Sequence, residues 1–145
     1  MSRAAEARGS ASVEFVWITL LLLVPFVYIL IAVFDVQRAS YGVSAASQSA
    51  ARAFLLAPDV ATAQERAQQA ARVALADQSV VGATVHVQCL PNAAACLQPG
   101  SSVRVEVHTT QPLPLVPSSL GGGLAGVTVD STHTEPYGQF RSGAR

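Results

Sequence analysis

Residues 15–34 form one uninterrupted apolar block, FVWITLLLLVPFVYILIAVF, with no charged side chain. Apart from the amphipathic Trp17 and Tyr28, only Thr19 in it carries a side chain that hydrogen-bonds strongly. A run of about 20 such residues, rising about 1.5 Å each as a helix, matches the roughly 30 Å hydrocarbon core of a bilayer. The chain is therefore expected to cross the cytoplasmic membrane once, near its N-terminus. Arg3, Arg8 and the start amine precede the block, against Glu6, and the first charges beyond it are Asp35 and Arg38. That modest positive bias predicts a cytoplasmic N-terminus and an extracytoplasmic body. A secretory signal fits less well, because its apolar region runs only about 7–15 residues before a small-residue cleavage site.

Glu14 stands directly before this block. A carboxylate there can rest at headgroup level, and the helix dipole favours negative charge at a helix N-terminus, so a purely local role is one reading. The context supplies another. A short leader with Arg3 and Arg8 ends in Gly9, Glu14 is the fifth residue after it, Phe15 follows, and then the apolar helix begins. This arrangement resembles the processing site of type IV pilin-like proteins.

The likeness extends from Gly9 through Val13-Glu14-Phe15, Leu23-Val24-Pro25 and Phe34-Asp35-Val36-Gln37 to Arg52-Ala53-Phe54, and returns at Thr134-Glu135-Pro136-Tyr137-Gly138-Gln139-Phe140-Arg141. These stretches resemble the TadE-type pseudopilins of tight-adherence (Tad/Flp) pilus systems, the actinobacterial members in particular. Many of those sequences carry a proline soon after the Glu-Phe pair, whereas here Pro25 comes later, which bears on helix shape. The resemblance implies cleavage between Gly9 and Ser10 by a prepilin peptidase. It also implies that Glu14 pairs with the new amine of a neighbouring subunit, and that the partners are other pilin-like subunits and the Tad pilus machinery.

Beyond the block there is chain enough for one small domain. Formal charge sums to zero, so no electrostatic footprint for nucleic acid exists. Cys89 and Cys96 are the only cysteines and enclose a turn-like loop with Pro91 and Asn92. An even count outside the cytoplasm favours a disulfide over two free thiols or half of a metal site.

Taken in order, residues 1–9 lack periodicity and are expected to be an unstructured leader. Residues 10–57 should form a transmembrane stem and its helical extension, with a kink near Pro25. The extension is rich in small residues, among them Ala39, Ser40, Gly42, Ser44, Ala46, Ser47, Ala50 and Ala53. Such residues suit either a neighbouring helix or the protein's own domain. Residues 58–145 should form a small α+β domain with a flexible tail. In it, Asp59 is expected to cap a second helix through about Ala76, with Thr62-Ala63-Gln64-Glu65 as an alternative capping box, and the inward stripe is Val60, Ala63, Ala67, Ala70, Ala71 and Ala74.

The period then changes to two. Val81, Ala83, Val85, Val87 and Cys89 alternate with polar residues, as do Val103, Val105 and Val107, and later Val127 and Val129. About three strands follow, the third near Ala125 to Thr132, forming an antiparallel sheet against the outer half of the long helix. Pro112, Pro114, Pro117 and Gly121–Gly123 mark an irregular crossing before the third strand. The arrangement resembles a minimal pilin fold.

His86, His108 and His133 would make a three-imidazole zinc site only if register brought them to one face, and no metal or cofactor is expected. No Walker loop, serine elbow or metalloprotease pair is present, and Asp130, Ser131 and His133 alternate faces on one strand, so no catalytic residue is assigned. The expected role is that of a minor pilin-like subunit in Tad/Flp pilus assembly. The alternative is an uncleaved single-pass anchor carrying an extracytoplasmic binding module.

Overall fold

A computed structural model describes residues 7–94, 96–114 and 126–140, with the side chains of residues 7–10 excepted. The elements are α1 (Ala7–Leu55), α2 (Val60–Asp77), β1 (Thr84–Leu90), β2 (Ser102–Pro112) and β3 (Gly126–Pro136). This is the expected α+β layout. The chain divides into two compact units, Met1–Phe34 and Asp35–Arg145.

In the first unit the helix is already formed at Ala7, so Ala7, Arg8 and Gly9 are helical where a disordered leader was expected. Ala and Arg favour helix, and the lone Gly9 costs too little to delay the start. Pro25 lies inside the helix. Large apolar side chains point outward all round, with Phe15 70 %, Trp17 68 % and Leu21 76 % exposed. None of the most apolar 18-residue window is buried, and the helix is long and apolar enough to cross a membrane.

In the second unit residues 35–55 of α1 present Ala39, Val43, Ala46, Ala50 and Phe54, repeating every three or four residues, to the core. The small residues of this segment are thus divided: Ala39, Gly42, Ala46, Ser47 and Ala50 are buried on the protein's own domain, and Ser40 faces solvent. Gly42 permits the closest approach, since a Cβ there would lie 2.9 Å from Val80 Cγ2.

Helix α2 buries Ala63, Ala67, Ala71 and Leu75, one residue per turn. Expectation and structure differ at the edges of this stripe. Val60, expected inside, is 47 % exposed, whereas Leu75, outside the expected set, closes the core. The spacing of four places Leu75 on the Ala63 line and leaves Val60, in the first turn, one residue off it.

Both ends of α2 are sealed. Asp59 Oδ1 accepts from the Thr62 N–H at 2.8 Å, and Asp59 Oδ2 from the Thr62 hydroxyl at 2.9 Å. At the other end the Ser79 N–H reaches Ala76 O and the Val80 N–H reaches Leu75 O, each at 2.9 Å. Ser79 sits at φ 55°, and Val80 is buried. Those bonds are a Schellman closure with serine at the position that glycine usually takes.

The sheet is antiparallel in the order β1-β2-β3. Val85 pairs with Val107, Val87 with Val105 and Cys89 with Val103, which aligns the apolar face of β1 on that of β2. Val103, Val105 and Val107 are all buried. Burying each valine contributes roughly 1.5–3 kcal/mol. Val81, expected inward on the first strand, is 81 % exposed, because Gly82 at φ 70° breaks the alternation before β1 begins. The third strand runs on to Pro136, past the expected end near Thr132. Tyr137, in the tail expected to be flexible, is buried, and its N–H donates to Ser101 O at 2.8 Å. The glycine run and most of the expected crossing fall outside the described residues, as does the tail from Arg141 onward.

Candidate functional site

Gly9 and Ser10 lie in the first turns of α1. Glu14 is exposed, one turn beyond Ser10, and immediately precedes the apolar block. Among the described residues a single ion contact exists, between His133 and Glu135, so Glu14 has no ion partner there. A carboxylate beside a surface that water solvates poorly gains most from a cation brought to it. Next in the same helix, Thr19 directs its hydroxyl back to Phe15 O at 2.8 Å, so the block's threonine hydroxyl is satisfied internally.

Cys89 and Cys96 are joined as a disulfide, with Cα atoms 5.3 Å apart. The bridge ties the end of β1 to the loop that leads into β2. In that loop Asn92 Oδ1 accepts from the Ala94 N–H at 3.1 Å, and the Ser101 hydroxyl donates to Gln98 O at 2.7 Å. Leu97, at φ 55°, is 1 % exposed. Beside the bridge lies a cleft of about 430 Å³ walled by Phe54, Val60, Val87 and Pro91, with Gln64 and Asn92 at its polar margin.

Register separates the histidines. His86 pairs with Glu106 and His108 with Asp130, on the outward face opposite the buried valines, whereas His133 pairs with the buried Val105 and faces inward. Among the described residues no group of three His, Cys, Asp or Glu side chains is placed to hold a metal. Asp130 and Ser131 likewise take opposite faces, and the Ser131 hydroxyl meets that of Ser47 at 3.1 Å.

Near Asp59 the electrostatics are simple. The Thr62 N–H, then the Thr62 hydroxyl, hold its carboxyl below the ordinary value. Sequence reasoning missed Leu97 and Tyr137. Neither belongs to a periodic segment, and only the loop closed by Cys89 and Cys96 signalled that residues nearby are fixed in place.

No family model, curated protein or solved structure matches this chain.

Proposed function

We propose that this chain is a membrane-anchored, pilin-like subunit of the TadE type that acts in assembly of a Tad/Flp pilus. Residues 15–34 cross the cytoplasmic membrane, the N-terminus is cytoplasmic, and the body from Asp35 onward is extracytoplasmic. A prepilin peptidase cleaves between Gly9 and Ser10. The observation that carries this reading is Glu14: an exposed carboxylate without an ion partner among the described residues, set directly before an apolar helix segment with no buried residue. The new amine at Ser10 of one stem neutralises Glu14 of its neighbour, and removing one partner of such a desolvated pair costs roughly 3–5 kcal/mol.

Glu14→Gln is expected to leave membrane insertion and cleavage intact while reducing crosslinking to other pilin-like subunits in membranes. Parental crosslinking in that variant would refute the pairing role.

The helical conformation of Ala7–Ser10 supports a second reading, an uncleaved anchor for a binding module, because proteases take extended substrates. Fraying of a first helical turn is low in cost, so cleavage remains the preferred reading.

A further inference from the structure

Backbone hydrogen bonds in an antiparallel sheet alternate along each strand, so one bond in an unbroken register fixes the direction of the rest. Tyr137 donates its N–H to Ser101 O at 2.8 Å, continuing the register that pairs Ser102 with Pro136. Val103, Val105 and Val107 of β2 therefore direct their backbone groups toward β3. Across β1, Cys89, Val87 and Val85 stand opposite those three, so their own N–H and C=O groups point out of the sheet along its β1 edge. Gln68 of α2 agrees with that direction, since its Nε2 donates to Val85 O at 3.2 Å. Such a contact guards an edge against another strand.

Farther along β1 the guard ends. The edge groups of Val87 and Cys89 meet no partner among the described residues, and they border the cleft of about 430 Å³ beside the disulfide. Phe54 and Val60 supply its apolar wall, with Val60 exposed, and Gln64 brings an amide to its margin. Unpaired strand backbone beside an apolar hollow recognises one chemistry, an extended peptide whose main chain bonds the edge while an apolar side chain fills the hollow. The chain displays such a segment itself. Phe140 is more exposed than any other large apolar side chain among the described residues, and it stands just past the buried Tyr137, which fixes the point from which it is presented.

We propose that the open half of the β1 edge is a docking site for residues 138–140 of a second copy of this chain, with the Phe140 ring seated in the cleft. Within one copy the segment leaves from β3, at the opposite edge of the sheet from β1. Donor and acceptor thus lie at opposite edges, and the contact is head-to-tail, a type that extends in rows unless its rotation closes a ring. It is independent of the pairing at Glu14 and of cleavage after Gly9.

Photo-crosslinking of the full chain tests this. A chain with Phe140 replaced by p-benzoylphenylalanine is mixed in detergent micelles with a differently tagged parent, irradiated and mapped by mass spectrometry. The label is expected on residues 60–64 or 91–93 of the tagged copy. Attachment within its own copy, attachment elsewhere on the tagged copy, or none overturns the proposal. A peptide of residues 136–145 titrated into the parent is expected to shift the Val87 and Cys89 amide resonances, and the Phe140→Ser peptide to bind at least about ten-fold more weakly, the scale of one lost aromatic anchor. Val60→Glu in the tagged copy spares the core because Val60 is exposed, and it should abolish both signals. Val73→Glu, exposed on α2 away from this cleft, should retain them. Equal binding of the Phe140→Ser peptide, or undiminished labelling of Val60→Glu, contradicts the docking.

Discussion

Leu97 shows how much one side chain outside any periodic element can carry. It holds a left-handed backbone conformation that costs an L-residue roughly 1–2 kcal/mol, and it does so while 1 % exposed. Burial offsets that cost, so Leu97→Ala keeps the strain and loses the packing. The expected destabilisation is about 3 kcal/mol, read from chemical denaturation of the detergent-solubilised chain. Ser79 is the converse case. It adopts φ 55° to close α2 and, unlike Leu97, is itself exposed. Ser79→Gly relieves the backbone without removing a core contact and should raise stability by about 0.5–1 kcal/mol, visible as an upward shift in Tm. No change in Tm would mean that the serine side chain supports the turn in its own right.

Among the elements, α2 depends most on its ends, because its core face is three alanines and one leucine. Its pH dependence follows from the cap. Asp59 is held below its ordinary value, chiefly by the Thr62 N–H, so its contribution is complete above the ordinary carboxylate range near about pH 4. It is lost as pH falls through the lower, folded value. Asp59→Asn, which caps without a charge, should therefore flatten the acid limb of the stability profile while preserving α2 near neutrality. A parental acid limb in that variant would assign the loss to other carboxylates.

Much at this scale was legible beforehand. The Asp59 cap, the valine alternation in two strands and the cysteine pair each follow from a local rule that the fold does not override. What escaped notice depends on three-dimensional closure. Val81 continues the alternation in sequence, yet Gly82 turns it outward, and its carbonyl is met instead by the buried Thr109 hydroxyl at 3.3 Å. His133 carries no mark of its face until β2 and β3 are paired, and pairing sets it apart from His86 and His108. Tyr137 follows a proline at a strand end, where sequence alone suggests fraying, but Ser101 accepts its N–H.

For the molecule as a whole, two kinds of surface need different solvents. Residues 15–34 expose an apolar helix that water would leave unstable, whereas the described residues from Asp35 onward bury their own core and turn a polar sheet face outward. Glu14 stands where the first kind of surface begins. On the proposed account its partner does not exist until the chain is cut, since the cation is the amine released at Ser10. The site is therefore completed by processing and by a second subunit together. N-terminal sequencing of protein extracted from membranes of cells with an active prepilin peptidase tests this most directly. The account predicts a mature chain beginning at Ser10 in the parent, and an unprocessed chain beginning at Met1 for Gly9→Val. Intact Met1 in the parent, or a Ser10 start in Gly9→Val, would contradict it.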